Sequence, residues 1–127
     1  MCQDNNIEIL LINMPTAYEG EFYGEERSEF KGYWNAVADI ADEYSVEYLN
    51  FMYHWKEIEL DLSRDTDGGV HLNVYGAHKF TKYLGKYIKD HYSIPDVRDN
   101  SEYSHMEQDY LEFVAYLDRI RNEREWE

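Results

Sequence analysis

Cysteine is nearly absent from this sequence. Cys2 stands alone, so no intrachain disulfide can form and no cysteine cluster can hold a metal. Its place beside Met1 argues against a nucleophile, because terminal residues are usually poorly held. Basic residues are scarce as well: 12 against 27 acidic ones, a formal net charge of -15. A field of that sign repels phosphate backbones and anionic lipid headgroups, and no Lys/Arg cluster is large enough to reverse it locally, so nucleic acid and membrane surfaces are poor partners. Solubility alone is a sufficient reason for such a charge. No run approaches the roughly 20 apolar residues of a membrane span, and no basic start leads into a signal-peptide core. A cytoplasmic location is expected, unless the chain is cut from a longer one that carried a targeting segment.

Against these scarcities stand 43% hydrophobic residues, 17% aromatics and 13 tyrosines in a chain of 127. That is ample for a core and too much for a disordered tail, and the length fits one domain spanning residues 1–127. The run IEILLIN, residues 7–13, shows no alternation and reads as a strand covered on both faces, as in parallel sheets. Met14 and Pro15 end it, and loop is expected to about Arg27. SEFKGYWNAVADIADEY places Phe30, Trp34, Val37, Ala41 and Tyr44 on one helical face, with Ser28 as an N-cap. VEYLNF, residues 46–51, is a second strand, so strand, helix and strand form a βαβ unit with parallel strands. Residues 52–62 allow a short helix around Trp55 to Leu60, and SRDTDGG reads as loop.

After Asn73 the period changes. Val74, Ala77, Phe80 or Thr81, Leu84 and Ile88 make an apolar stripe, Lys79, Lys82, Lys86 and Lys89 lie mostly off it, and the helix should run to about His91 before Pro95. A further helix from about Glu102 to Arg124 aligns Met106, Tyr110, Phe113, Leu117 and Ile120, with Arg119, Arg121 and Arg124 near its C-terminus, where the dipole favours them. Residues 98–127 thus form a C-terminal helical extension. Two strands against three long helices is too few for a doubly wound sheet, and IEILLIN wants neighbours on both sides. The imbalance implies that part of the sheet lies elsewhere.

Chemistry concentrates in DGGVHLNVYGAHKFTKYL, residues 67–84. Asn73 is placed to cap the helix, and Gly76 in the first turn permits close packing. His71 is either a surface hydrogen-bonding residue or a base whose Nδ1–H is held by a nearby carboxylate, leaving Nε2 to take a proton. A metal reading would use Asp65, Asp67, His71 and His54, but the calcium-loop pattern fails at Gly69 and lacks its closing glutamate, HExxH is absent, and no cofactor is implied.

This stretch closely resembles the C-terminal catalytic block of the GDSL-like, or SGNH, hydrolases, in a bacterial branch where Asp, His and Leu-Asn open the last helix and G-A-x-K-x-T-x-Y-L follows. The resemblance covers about residues 7–92, with IEILLINMP and VEYLNFM matching late strands of that fold in order. It implies an α/β, partial three-layer flavodoxin-like parallel sheet with flanking helices. It further implies that His71 is the general base, that Asp67 is its partner although four residues away rather than the usual three, with Asp65 the second choice, and that Asn73 and Gly76 are structural. The family's Gly-Asp-Ser nucleophile block and its oxyanion-hole glycine and asparagine precede the strand resembling IEILLIN. None is found here, and Ser28, Ser45, Ser63, Ser93, Ser101 and Ser104 lack the nucleophile's strand-to-helix setting. The expectation is therefore a C-terminal part of a serine esterase or acyl hydrolase, inactive alone, that supplies the histidine and aspartate of the triad for an ester or O-acylated carbohydrate. Its partner is a missing N-terminal half, or a second copy met through the exposed sheet edge. The alternative is a noncatalytic acidic α/β interaction module.

Overall fold

The computed structural model describes Asn5 and residues 7–18, 21–22 and 28–123. Its chain divides into two compact units, Met1–Tyr83 and Leu84–Glu127. The first holds a small α/β arrangement: strands β1 (Leu10–Asn13), β2 (Ala17–Tyr18) and β3 (Glu21–Phe22), helix α1 (Ser28–Glu43), strand β4 (Glu47–Asn50) and the one-turn helix α2 (Leu62–Asp65). Helix α3 (Val74–His91) begins in this unit, and α4 (Ser104–Glu123) lies in the second.

The two aliphatic runs pair as expected of a βαβ unit. β1 and β4 are parallel, with Leu10 opposite Glu47, Leu11 opposite Tyr48, Ile12 opposite Leu49 and Asn13 opposite Asn50. Each strand is shorter than its apolar run. The expectation that β1 is covered on both faces fails, since Ile7 is 56% exposed and Ile9, Ile12 and Met14 are exposed as well. The physical reason is the sheet's width: among the described residues β1 has β4 as its only strand neighbour. The loop expected after Pro15 instead contains a short antiparallel pairing of β2 with β3. Four residues of strand are too few to register as alternation in sequence.

Helix α1 buries a different stripe from the one its spacing suggested. Phe30, Trp34, Ala38 and Ala41 are covered, whereas Val37 and Tyr44 are exposed. The covered stripe passes through Ala38 rather than Val37; the Tyr44 N–H still donates to the Ile40 carbonyl at 3.1 Å, and Ser45, with a left-handed φ of 53°, ends the helix. The side chain of Ser28, expected as the N-cap, lies outside the described residues.

The core collects where β4 ends. Phe51 and Met52 are buried in a 3-10 turn capped by Asn50, which accepts the Met52 N–H at 3.1 Å while accepting the Asn13 side-chain amide at 2.9 Å. Phe51 meets Phe80 edge-on at 5.1 Å and Tyr83 at 6.0 Å, contacts that add about 0.5–1.5 kcal/mol each beyond their burial. Ile58 and Leu60 complete this cluster from a turn, not from a helix around Trp55 to Leu60, because Glu59 adopts a left-handed φ of 60° that ends helical continuation. Part of SRDTDGG is helical rather than loop: Ser63, Arg64 and Asp65 belong to α2, whose first turn Asp61 caps by accepting the Ser63 N–H at 2.8 Å.

In the second unit, α3 ends as its sequence implies at His91, whose ring stacks on Tyr87 at 4.0 Å. Asn100 accepts the Glu102 N–H at 3.0 Å and opens a 3-10 turn leading into α4. Only Leu117 and Ile120 of the expected α4 stripe are covered, joined by Val114, and Met106, Tyr110 and Phe113 are exposed. Arg124 and the Arg121 side chain lie outside the described residues. Among the described residues no helix is long and apolar enough to cross a membrane.

Candidate functional site

The loop of residues 66–72 is shaped by its own backbone. Thr66 and Leu72 form an antiparallel bridge, and the Asp67 N–H donates to the His71 carbonyl at 3.0 Å. Asp67 Oδ1 accepts the Gly69 N–H at 2.8 Å, an Asx-type turn that needs Gly68 at a left-handed φ of 84°. The Ala17 N–H donates to the Val70 carbonyl at 3.0 Å, so the segment that leaves β1 at its C-terminal end runs alongside the loop. Ligands in parallel α/β sheets gather at that end of the strands.

Within the loop, His71 Nδ1 lies 3.4 Å from Asp67 Oδ2, with the two side chains 75% and 48% exposed. Of the two aspartates close upstream of His71, Asp67 is the one that faces the ring, at a separation longer than an ordinary hydrogen bond. The Asp67 carboxyl is held below the usual carboxylate range, first by the Gly69 N–H and then by the His71 backbone and ring. It is an anion at neutral pH.

The other residues considered for the site separate. Asp65 is 2% exposed, and its Oδ2 accepts from Lys79 Nζ at 2.6 Å and from the Asp61 N–H at 2.7 Å. Its carboxylate is thereby committed to α2 and α3. His54 Nδ1 pairs with Glu57 at 2.6 Å across one turn, and its ring rests edge-on against Phe51. Among the described residues no group of three or more His, Cys, Asp or Glu is placed to hold a metal ion. Ser63 Oγ donates to Asp61 Oδ1 at 2.7 Å and Ser104 Oγ to the Ser101 carbonyl at 2.9 Å, both local capping bonds.

Asn73 does more than cap. Its Oδ1 accepts the N–H groups of Tyr75 at 2.9 Å and Gly76 at 3.2 Å, satisfying two of the free donors of α3. Its Nδ2 donates to the carbonyls of Arg64 at 2.7 Å and Thr66 at 2.8 Å. Aspartate caps helices as well as asparagine does, yet Asn73→Asp would set a carboxylate oxygen against those two carbonyls. A loss of about 1–3 kcal/mol is expected in urea denaturation, whereas an ordinary cap exchange would be neutral.

Lys79 is the residue that the sequence misplaced. It was read as lying off the apolar stripe, but α3 turns Gly76, Phe80, Tyr83 and Leu84 inward, while Ala77 and Thr81 are exposed. Lys79 stands beside that inner face and reaches both Asp65 and the Glu59 carbonyl, the latter at 2.7 Å. The one available signal was Gly76 three residues earlier, since a helix glycine marks a close approach and its i+3 neighbour shares the face.

No protein-family model, curated protein or solved structure matches the chain.

Proposed function

We propose that this chain is the C-terminal part of an SGNH-like serine acyl hydrolase, with His71 as general base and Asp67 as its orienting acid. The observation that carries the reading is the Nδ1-to-carboxylate pairing of His71 and Asp67 in an exposed loop, held between a capped helix entrance and the segment that leaves β1. In the assembled enzyme, a serine hydroxyl from the first half attacks the acyl carbon while Nε2 of His71 takes its proton. The same nitrogen returns the proton to the departing alcohol oxygen. Water then repeats the sequence on the acyl-serine, releasing the acid and restoring the serine. Asp67 keeps the ring in the tautomer with Nδ1 protonated and stabilises the imidazolium. The substrate class is a small ester or an O-acylated carbohydrate.

The exposed aliphatic residues of β1 support an incomplete sheet, in which β1 and β4 are late strands of a larger three-layer, flavodoxin-like arrangement. The same strand supports a second reading, a noncatalytic module that pairs through the open sheet edge. The chain alone should release no p-nitrophenol from p-nitrophenyl acetate above the buffer rate. Joined in frame to an SGNH first half bearing the Gly-Asp-Ser block, it should turn the ester over. A fusion that unfolds as a single cooperative unit yet stays inert would overturn the hydrolase reading. Concentration-dependent dimerisation of the chain in sedimentation, with protection of residues 10–13 from hydrogen exchange, would then favour the module.

A further inference from the structure

We propose that Asp65 and Lys79 are positioning residues, whose ion pair, formed on a buried carboxylate, sets the 66–72 loop so that Asp67 meets the His71 imidazole. This rests on the reading of His71 as a base and Asp67 as its partner.

The loop is bounded by Asp65 and Asn73, and both ends are tied to the start of α3. The Asn73 N–H donates to the Asp65 carbonyl at 2.9 Å, and the Asn73 side chain holds the carbonyls on either side of Asp65, those of Arg64 and Thr66. Gly76 lies so close that a Cβ there would stand 2.2 Å from the Asp65 carbonyl oxygen. Van der Waals contact could hold two helices together at this point, and apolar side chains in place of a buried ion pair are often no less stable. An ion pair adds direction. Lys79 Nζ grips Asp65 Oδ2 and the Glu59 carbonyl together, and the same Oδ2 accepts the Asp61 N–H. One lysine on α3 thereby fixes both the turn before α2 and the last residue of α2, from which the loop departs.

Two residues beyond Asp65, the Asp67 side chain spans from the Gly69 N–H to the His71 ring. A rotation of α2 on α3 turns the main chain at Asp67 and with it the direction of its side chain. The Asp67–His71 backbone bond and the Thr66–Leu72 bridge join main-chain atoms alone, so they leave the Nδ1-to-carboxylate separation to be set by how the loop departs from α2.

Long-range proton–nitrogen NMR of His71 in the full chain, at a pH where the ring is neutral, reads the tautomer directly. A free imidazole favours the form protonated at Nε2, and a carboxylate at Nδ1 reverses that preference. The wild type should carry the proton mainly on Nδ1, and Asp67→Asn should return it mainly to Nε2. Asp65→Asn combined with Lys79→Met removes the buried carboxylate and its partner's charge together and strands neither. This double variant should shift the tautomer ratio toward the Asp67→Asn value, and Lys79→Arg should keep the wild-type ratio. Asp65→Asn alone serves the same purpose if the double variant does not fold, because the amide oxygen still accepts the Asp61 N–H and the part-exposed lysine keeps its access to solvent. A folded variant lacking the pair but with an unchanged ratio overturns the positioning role and leaves the base and its partner standing. A wild-type ratio that does not respond to Asp67→Asn overturns the partnership itself, and the positioning role with it.

Discussion

Alanine at Gly76 is expected to lower the stability of the unit Met1–Tyr83 by about 2–4 kcal/mol, although the same exchange in an ordinary helix interior would raise it by about 0.5–1 kcal/mol. The added Cβ would lie 2.2 Å from the Asp65 carbonyl oxygen and 3.1 Å from both its carbonyl carbon and its Cβ. Backbone atoms cannot step aside as the end of a flexible side chain can. α2 must move off α3, and with it go the Asn73-to-Asp65 backbone bond and the geometry of the ion pair. An Asp65 carboxylate separated from Lys79 would be a charge in a closed space, whose cost is larger than that of the hydrogen bond alone. Gly85→Ala on the same helix is the internal control, because a Cβ there meets nothing within 4 Å. Urea denaturation should place the two variants on opposite sides of the wild type. Gly76→Ala with wild-type stability would mean that α2 does not sit against α3 as described.

That close approach also marks where sequence reasoning succeeds and fails in this protein. The α3 boundaries were legible because an N-cap asparagine stands directly before a change of period and the helix runs 18 residues, enough for the pattern to repeat. The parallel pairing of β1 with β4 was legible from two aliphatic runs joined by one amphipathic helix. α2 was not legible, since one turn of helix in a polar stretch has no period to detect. Neither were the phases of α1 and α3. Their inner faces include Ala38 and Gly76, whose small side chains carry little hydropathy signal, so the apolar pattern was drawn through Val37 and Ala77 instead. Asp65 and Lys79 escaped for a different reason. Charged residues are rarely buried unless paired, and the partner of each is 14 residues away, a distance that no local pattern spans. His71 is the reverse case: both Asp65 and Asp67 lie close upstream in a glycine-bearing loop, so local spacing offers two partners and only the family resemblance prefers Asp67.

For that pair the expected effects are the largest of all. In a fusion that supplies the serine, His71→Ala should lower kcat/KM by roughly 10³–10⁶, because the attacking hydroxyl loses its proton acceptor. Asp67→Asn should cost roughly 10⁴ in kcat, an amide at that place favouring the wrong imidazole tautomer. The double variant should be little worse than His71→Ala alone, since residues acting as one unit are not additive. The pH dependence reports on Asp67. Its carboxyl is held below its ordinary value of 3.8, so what it contributes is present above that value and is lost as acid protonates it below. Asp67→Asn should therefore lower the rate throughout the range above that value. Initial rates of p-nitrophenyl acetate hydrolysis across that range measure this. Full activity in His71→Ala would remove the base, and Asn73 capping α3 would then be the main account of this stretch. Equal rates for the wild type and Asp67→Asn above the ordinary carboxylate range would remove Asp67 as the orienting acid.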